Sequence, residues 1–309
     1  MSNCIIMVGL SGSGKFSKAE ELAKMYNANI ISSDKLREEM FGDVADQLHN
    51  DEIFKEFHHR IALYLQHHQS VIVDATNVTM KSRRQIINIA QTYKSKVIVY
   101  VCTKPIGACL ADNKKREHPV PDYVIYKQRG KFQIPFREEG IDEIYYNDYD
   151  MYSLNDVDIA EFNKYLHEFD IFNQQSKHHI LTLGQHCKNT YLHLPVSTND
   201  ILVHAALLHD IGKLFTQTID EDGEAHYYGH PNVGSYFLLS HLDKFEKLFG
   251  YEYDGYFWEQ VAFYINYHML PFDWKSNVTH IRYKHTFGTR KYNNLMTLHK
   301  ADCIGSGKE

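Results

Sequence analysis

Histidine and aspartate side chains that could bind a metal ion are concentrated in the second half of the sequence. Their centre is the stretch HAALLHDIGK, residues 204–213, in which an apolar helical run ends at His209 and Asp210. Adjacent residues do not share a helical face, but at the end of a helix their side chains can converge on one ion. Because the chain contains 20 histidines, such a pair can arise by chance. The surrounding residues therefore decide its interpretation.

Further imidazole and carboxylate groups lie on both sides of this stretch. His186 precedes it in HHILTLGQH, and Asp302 closes the series in LHKADCIGSGKE. Between them, His230 occurs in YYGHPNVGS and His268 in INYHML. Donors of these types and in this number suit one or two divalent transition-metal ions. The sequence therefore predicts a metal centre.

Residues 171–305 resemble the HD superfamily of metal phosphohydrolases, whose H…HD…D order of ligands recurs in this segment. The resemblance implies a core set of four metal ligands: His186, His209, Asp210 and Asp302. It places two further residues at a second metal or a phosphate contact: His230 and His268. Since imidazole-rich sites favour transition metals over Mg²⁺, we expect one or two ions of Mn²⁺, Co²⁺, Ni²⁺ or Fe²⁺.

A second motif follows the first apolar run of the chain. CIIMV, residues 4–8, is typical of a buried strand, and GLSGSGK then leads into a helical pattern over residues 17–26. The loop fits G-x-x-x-x-G-K, in which backbone N–H groups close around phosphate oxygens and the lysine supplies a cation. It predicts a site for ATP or another NTP donor, formed by Gly9, Gly12, Ser13, Gly14, Lys15 and Ser17. Phe16 stands where Ser or Thr normally gives a hydroxyl to Mg²⁺.

Alternating strand and helix patterns continue after this loop. NIISSD reads as a second strand ending at Asp34, with Arg37 one helical turn further on, and SVIVD, residues 70–74, as a third strand ending at Asp74. A fourth strand is predicted over residues 96–103. This alternation indicates a parallel sheet, at whose carboxyl edge ligands bind. Residues 104–131 hold seven basic and three acidic side chains, as a lid over ATP phosphates requires.

Residues 1 to about 145 resemble polynucleotide 5'-kinases of the P-loop class. The resemblance rests on GLSGSGK, SSDKLR, VDATN with the downstream Arg83 and Arg84, and NKKREHPVPDYV. It implies that Asp34 is the general base for a 5'-hydroxyl and that Arg37 contacts a substrate phosphate. By the same resemblance Lys15 and the ATP-binding Arg116 stabilise the transferred phosphoryl group, with ATP and Mg²⁺ as cofactors. Asp74 would belong to the metal or substrate network.

The length of 309 residues indicates two domains. We predict a P-loop kinase-like α/β domain with a parallel sheet over residues 1–150 and a mainly α-helical HD domain over residues 151–309. Strand and helix alternation is expected to stop in the acidic segment 138–170, whose last part, residues 156–170, forms the first helix of the second domain. Five later helices and one hairpin are predicted: 178–194, 199–209, 231–241, 256–269, 289–304, and the hairpin 218–228.

Composition restricts the environment and the partners. No apolar run approaches the about 20 residues of a membrane-spanning helix, so we expect no membrane role. Five cysteines without CxxC spacing fit a reducing cytoplasm. Lys and Arg number 20 against 20 Asp and Glu in residues 1–150, and 13 against 19 in residues 151–309, so no overall basic field attracts nucleic acid. A homo-oligomer is compatible with the sequence.

The two resemblances together predict an end-healing enzyme. It would phosphorylate 5'-OH ends of RNA or DNA and remove 3'-terminal or 2',3'-cyclic phosphate. Two other functions stay open. The HD half could be a nucleotidase that acts on free nucleotides. Alternatively, because of Phe16, the P-loop half could be a nucleotide-gated RNA-binding sensor with a weakened kinase.

Overall fold

The computed structural model of the protein describes residues 2–46, 48–146, 156–175, 181–249 and 255–306. The chain divides into two compact units. One contains Met1–Arg129 and Pro135–Asn147, and the other contains Gly130–Ile134 and Asp148–Glu309. The boundary expected near residue 150 lies outside the described residues, so the division into 1–150 and 151–309 stays a prediction.

A five-stranded parallel sheet forms the centre of the first unit, with the strand order β2-β3-β1-β4-β5. Its central strands are almost continuously apolar because helices cover both faces of a parallel sheet. The strands are β1 (Asn3–Gly9), β2 (Asn29–Ser32), β3 (Val71–Asp74), β4 (Lys96–Cys102) and β5 (Glu143–Tyr146). The predicted α/β fold class is confirmed.

Two details of the sheet differ from the sequence prediction. The second strand ends at Ser32 and not at Asp34, which lies in the first turn of the next helix. Glu143–Tyr146 adds a fifth strand beside β4, in a segment where alternation was expected to stop. Its sequence, EIYY, contains two tyrosines and one β-branched residue but is only four residues long. A run this short carries little periodicity.

In the described residues of this unit, six α-helices and one 3₁₀ helix accompany the sheet. They are α1 (Lys15–Tyr26), α2 (Ser33–Phe41), α3 (Asn50–Gln66), α4 (Met80–Thr92), α5 (Ile106–Lys114), α6 (Asp122–Arg129) and the 3₁₀ helix Arg137–Glu139. The buried face of α1, with Ala19 and Leu22, packs on Ile5 and Ile72 of the sheet. This packing fixes the start of α1 just beyond the carboxyl end of β1.

The second unit is mainly helical, as predicted. Its helices are α7 (Asp156–Ile171), α8 (Leu183–Leu192), α9 (Asp200–Leu208), α10 (His230–Ser240), α11 (Leu242–Phe249), α12 (Gly255–Tyr267) and α13 (Asn277–Gly305), with 3₁₀ helices at Ile211–Phe215 and Leu270–Asp273. The hairpin is confirmed as β6 (Thr218–Ile219) paired with β7 (Ala225–His226).

Helix ends in this unit follow side-chain capping. Thr182 accepts a hydrogen bond from the backbone N–H of Gln185 in a capping box, so α8 begins later than predicted, while residues 178–180 lie outside the described part. The last helix was predicted over residues 289–304. It begins at Asn277, after the N-cap Ser276, and Gly288 kinks it with a left-handed φ of 74°. Within the described residues, no helix is long and apolar enough to span a membrane.

Candidate phosphate and metal sites

The loop between β1 and α1 has the form of a phosphate cradle. Gly14, the N-cap of α1, has φ 84°, and a Cβ there would meet nothing within 4 Å. Glycine is therefore favoured at this position by its positive φ and not by a lack of room for a side chain. The hydroxyl of Ser13 is buried without a hydrogen-bond partner among the described residues. Because a buried hydroxyl favours a partner, it suits a phosphate oxygen at this position.

Lys15 lies at the same helix terminus. Its Nζ donates to the carbonyl of Leu10 at 2.6 Å, so the ammonium points back along the loop. Burial lowers the pKa of Lys15, while the nearby carboxylate of Asp74 acts in the opposite direction. The ammonium group of Lys15 thus lies beside the phosphate-binding loop that follows β1. The helix N-terminus adds its own preference for anions.

Helix α6 supports this loop through a residue that the sequence did not single out. The amide oxygen of Gln128 accepts from the backbone N–H of Ser11 at 2.8 Å, and its amide nitrogen donates to the Ser11 hydroxyl at 3.1 Å. Gln128 therefore ties the predicted lid segment to the phosphate loop. The polar composition of residues 104–131 marked the segment, but no spacing rule indicated this residue.

Asp34 and two arginines form a cluster near the carboxyl ends of β2 and β3. Arg116 Nη2 lies 3.1 Å from one carboxylate oxygen of Asp34, and Arg37 Nη1 lies 3.1 Å from the other. Arg37 is buried and also donates to Asp46 O at 3.0 Å and to Asn50 at 3.2 Å. The structure thus brings these three predicted residues together. It gives Arg37 structural partners besides Asp34.

Asp74 ends β3 and pairs in register with Ser32 at the end of β2. Burial raises the pKa of Asp74, while Lys15 and a hydrogen bond from Ser32 favour its charged form. Charge coupling to Lys15 and Arg116 links Asp74 to both halves of the proposed site. Ligands bind at this edge of open parallel sheets.

Phe16 is 41% exposed, and Lys35 Nζ lies 5.1 Å from the centre of its ring. Ser17, the nearest later hydroxyl, is also exposed, one position further along α1. The benzyl side chain therefore offers no oxygen at the position after Lys15. Whether Ser17 compensates stays a prediction.

The second site gathers the predicted histidines and aspartates from five elements. His186 lies on α8, His209 and Asp210 at the end of α9, His230 at the start of α10, His268 just after α12, and Asp302 near the end of α13. All six are buried. The structure brings every predicted ligand into one centre.

One group of donors surrounds His186. Its Nε2 lies 3.1 Å from His209 Nε2 and 3.1 Å from Asp302 Oδ1. The same nitrogen lies 3.4 Å from Oδ2 of Asp210, which is 3.5 Å from His209 Nε2. The donor atoms of His186, His209 and Asp302 all lie within 4.8 Å of one another, as one bound ion requires.

A second group uses the other oxygen of Asp210. Oδ1 lies 3.1 Å from His230 Nε2 and 3.4 Å from His268 Nε2, and these two nitrogens are 3.2 Å apart. Asp210 therefore presents one oxygen to each group. A carboxylate shared in this way would serve both groups of donors if one or two divalent ions were bound, and such ions would activate water for hydrolysis.

Backbone carbonyls fix the tautomers of three of these rings. The Nδ1 atoms of His209, His230 and His268 each donate at 2.8 Å to Ala206 O, Tyr227 O and Ile265 O respectively. A neutral ring that donates from Nδ1 carries a lone pair at Nε2. His230 and His268 thus direct lone pairs at each other, an arrangement that a shared cation stabilises. The donor set fits one or two divalent transition metals.

The pKa shifts of the histidines differ between the two groups of donors. Burial opposes the charge of His186, but hydrogen bonds with Asp210 and Asp302 outweigh it and raise the pKa of His186 to about 9. Burial lowers the pKa of His268 to about 4. Burial also disfavours charge on Asp210, but Lys213 and His209 hold the pKa of that carboxyl well below its usual range. Asp210 therefore stays an anion between the imidazoles.

Lys213 is a residue of this site that the sequence prediction did not include. Its buried Nζ lies 2.6 Å from Asp210 Oδ2 and donates to Gln174 Oε1 at 2.8 Å. The signal was present in HDIGK, since a lysine three residues after Asp210 on a 3₁₀ helix lies on the same side. Gln174, 36 residues upstream, had no such signal.

Gly212 permits the close approach that builds the second group. A Cβ on Gly212 would lie 2.0 Å from the carbonyl of His230 and 2.6 Å from the backbone nitrogen of Gly234. No side chain fits there without moving the backbone. The turn after Asp210 can therefore rest against the start of α10. This contact places His230 beside Asp210.

Comparison with known proteins identifies both halves of the chain. Residues 4–135 match the AAA domain family, and residues 164–304 match the HD domain family. The chain therefore combines a P-loop domain of the AAA type with an HD domain, in agreement with both sequence resemblances.

One curated relative is the L-seryl-tRNA(Sec) kinase of Methanococcus maripaludis. It is 32% identical over 135 residues, covering 42% of this chain and 52% of the relative. The chain thus spans about half the length of this curated relative.

Solved structures are similar to part of the chain at lower identity. A chain of the Pnkp1/Rnl/Hen1 RNA repair complex is 23% identical with a TM-score of 0.39, covering 42% of this chain and 43% of that one. The APS kinase CysC of Mycobacterium tuberculosis is 18% identical with a TM-score of 0.35, covering 53% and 95%.

Proposed function

We propose that this protein heals broken polynucleotide ends. Its P-loop domain would transfer a phosphoryl group from ATP to a 5'-hydroxyl, and its HD domain would remove a 3'-terminal or 2',3'-cyclic phosphate. The observation that carries most weight is the position of Asp210, whose two oxygens each face a separate group of imidazoles. Such a centre suits hydrolysis of a phosphate ester.

In the kinase half, the backbone of the loop and Lys15 would hold the phosphates of ATP, and the orphaned Ser13 hydroxyl supports this assignment. Asp34 would accept the proton of the attacking hydroxyl, since its carboxylate lies at the ligand-binding edge of the sheet. Arg37 would keep that carboxylate oriented. Mg²⁺ bound with ATP would supply charge neutralisation, and Asp74 would belong to the metal or substrate network.

Arg116 has two partners in this scheme. Its contact with Asp34 spans 82 residues of sequence and joins the basic segment after α5 to α2. The guanidinium of Arg116 can replace its contact with the carboxylate by a contact with a phosphoryl oxygen. Both groups are oxyanions that accept charge-assisted hydrogen bonds from arginine. Arg116 would thereby release Asp34 when a phosphorylated donor binds.

In the HD half, six side chains would hold one or two divalent ions: His186, His209, Asp210, His230, His268 and Asp302. Ions in that centre supply Lewis-acid activation of water and of a phosphoryl oxygen. Lys213 keeps Asp210 ionised and fixes its orientation. The backbone carbonyls that accept from three rings fix the tautomers.

The decisive experiment uses one RNA with a 5'-OH and a 2',3'-cyclic phosphate. It is incubated with ATP, Mg²⁺ and Mn²⁺, and both ends are analysed. We expect a 5'-phosphate and loss of the cyclic phosphate. Asp34→Ala should block only the first change and Asp210→Ala only the second. Hydrolysis of free nucleotides without action on the RNA would favour the nucleotidase alternative.

A further inference from the structure

The basic residues of the HD half are segregated along the chain. Residues 151–309 contain 13 Lys and Arg against 19 Asp and Glu, yet residues 274–301 hold six basic and no acidic side chains. This stretch is the loop before α13 and most of α13 itself, which carries the proposed metal ligand Asp302 near its end. A cationic segment in an acidic half needs an explanation beyond solubility, because it attracts anions to one place.

The cations of this segment are available to a partner. Lys275, Arg282, Lys284, Arg290 and Lys300 are exposed. Within the described part of the chain, no carboxylate lies within ion-pair distance of any of them. By contrast, Lys164 on α7 pairs with Glu168, and Lys213 pairs with Asp210. These five exposed cations therefore form no ion pair with a carboxylate in the described part of the chain.

Aromatic rings lie beside these cations. Trp274 stacks on Tyr283 with ring centres 4.6 Å apart and on Tyr292 with centres 5.6 Å apart. The guanidinium of Arg282 lies 4.9 Å from the centre of the Tyr283 ring. His280 donates to or accepts from the Tyr292 hydroxyl at 2.7 Å. Trp274 is 7% exposed and lies between the two tyrosines, so this stack orients Arg282, and a base can stack only on exposed rings.

A second aromatic contact adjoins the metal centre. Phe272, 45% exposed, meets the ring of His299 edge to face with centres 4.4 Å apart. Phe272 follows the ligand His268 by four residues, and His299 precedes the ligand Asp302 by three. Each member of the pair therefore lies within four residues of a proposed metal ligand. Tyr292 and His299 are seven residues apart and share one face of α13, about 10 Å apart along the axis.

We propose that α13 and the preceding segment form a track for single-stranded polynucleotide leading to the HD centre. Phe272 and His299 would hold the base of the terminal nucleotide, and Lys275 and Arg282 would hold phosphates upstream. The inference rests on the proposed phosphoesterase function and extends it to polymer selection. Tyr292 lies about 15 Å from Asp302 along the helix, or four to five stacked nucleotides at roughly 3.4 Å each. A mononucleotide cannot reach both ends of this track.

The test compares two substrates with the metal-loaded protein and Mn²⁺. One is a 12-nucleotide single-stranded RNA ending in a 2',3'-cyclic phosphate, and the other is the matching nucleoside 2',3'-cyclic monophosphate. We expect kcat/KM to be about tenfold or more higher for the RNA, since each stacked base contributes appreciably. Equal values for the two substrates would overturn the track and leave the phosphoesterase intact. If neither substrate were cleaved, the proposed function would fail, and the track with it.

Variants locate the contacts. Arg282→Ala should lower kcat/KM several-fold for the RNA only. It should also make the plot of log kcat/KM for the RNA against log salt concentration less steep by about 0.7, the value for one phosphate contact on a single strand. Arg290→Ala is the matched control, because Arg290 is an exposed arginine of α13 on the side opposite Tyr292. Equal losses in the two variants would contradict a track on this face.

The terminal base contact has its own variants. Phe272→Ala should lower kcat/KM for both substrates about tenfold, whereas Phe272→Tyr, which retains a ring, should stay near wild type. Tyr256→Ala on α12 is the control for an exposed aromatic, at 52% exposure. Unchanged activity in a folded Phe272→Ala protein would show that this ring binds no base.

Discussion

Arg116 Nη2 lies 3.1 Å from Oδ2 of Asp34, while Arg37 holds the other oxygen of the same carboxylate at 3.1 Å. The proposed general base therefore lies between a buried arginine that fixes it and a half-exposed arginine that can exchange partners. This arrangement holds the carboxylate between two cations. It also makes the position of Arg116 depend on which anions are present.

We predict that the two activities separate by mutation. Asp34→Asn keeps the size of the side chain and removes its ability to accept a proton. It should lower 5'-phosphorylation by at least about a hundredfold, a typical general-base contribution. It should leave release of the 3'-phosphate unchanged. The measurement is radiolabel transfer from ATP to a 5'-OH oligonucleotide, beside phosphate release from its 3' end.

The reciprocal control is Asp210→Asn, which should lose phosphate release and retain the label transfer. Asp34→Asn should melt within a few degrees of wild type because Asp34 is half exposed, whereas Asp210→Asn leaves the buried ammonium of Lys213 without its carboxylate and should melt lower. An Asp210→Asn protein that released phosphate at the normal rate would refute the assignment of the metal centre.

Metal stoichiometry should follow the two groups that share Asp210. His268→Ala removes a ligand of the second group only, so it should bind one Mn²⁺ fewer than wild type. His186→Ala should lose the ion of the first group, and Asp210→Ala should weaken both. Equilibrium dialysis with elemental analysis gives the ratio directly. Two ions retained in His268→Ala would contradict a second metal at His230 and His268.

The preferred metal should be a transition ion. Four imidazoles and two carboxylates suit Mn²⁺, Co²⁺, Ni²⁺ or Fe²⁺, whereas Mg²⁺ prefers oxygen ligands and retains its water. In protein stripped with a chelator, Mn²⁺ should restore phosphate release and Mg²⁺ should restore little. The kinase assay with Mg²⁺ serves as control for the integrity of the same sample. Full phosphoesterase activity with Mg²⁺ alone would oppose this prediction.

Lys213 should act through Asp210. Lys213→Met keeps most of the apolar stem and removes the ammonium 2.6 Å from Oδ2, so the buried carboxylate loses its closest counter-charge. We expect the rate of phosphate release to fall about tenfold or more, because residues that hold metal ligands in place typically contribute that much to activity or metal affinity. Mn²⁺ binding should weaken, and kinase activity should be unchanged. Lys213→Arg should recover part of the loss. Normal Mn²⁺ affinity in Lys213→Met would exclude the positioning role.

The order and type of the main elements could be predicted because their sequence patterns are strong. Ile5 to Val8 form an apolar run before a glycine loop, and the ligands His209 and Asp210 end an apolar helix. Local patterns do not report distant contacts. Gln174 reaches Lys213 across 39 residues, and Gln128 reaches Ser11 across 117. Such partners depend on how elements pack.

Two helix starts also differ from those that the sequence patterns predicted. The strand expected to reach Asp34 stops at Ser32, because Ser33 and Asp34 already lie in the first turn of α2. The final helix extends to Asn277 because Ser276 caps it by accepting from the backbone N–H of Thr279. Gly288, with non-helical backbone at φ 74°, separates this added segment from the helix predicted over residues 289–304.

The last prediction concerns Phe16, which occupies the position where P-loop enzymes place a hydroxyl ligand of Mg²⁺. Its exposed ring lies near Lys35 and offers no oxygen to a hard cation. Since the metal neutralises charge that develops in the transition state, turnover should suffer more than ATP affinity. Phe16→Ser should therefore raise the kinase rate constant about 10- to 100-fold, corresponding to about 1.4–2.8 kcal/mol. Phe16→Ala, which removes the ring without adding a hydroxyl, is the control and should stay near wild type. Rates are compared at saturating ATP and Mg²⁺ in folded proteins, and an unchanged or lower rate in Phe16→Ser would mean that Ser17 or another group already supplies the ligand.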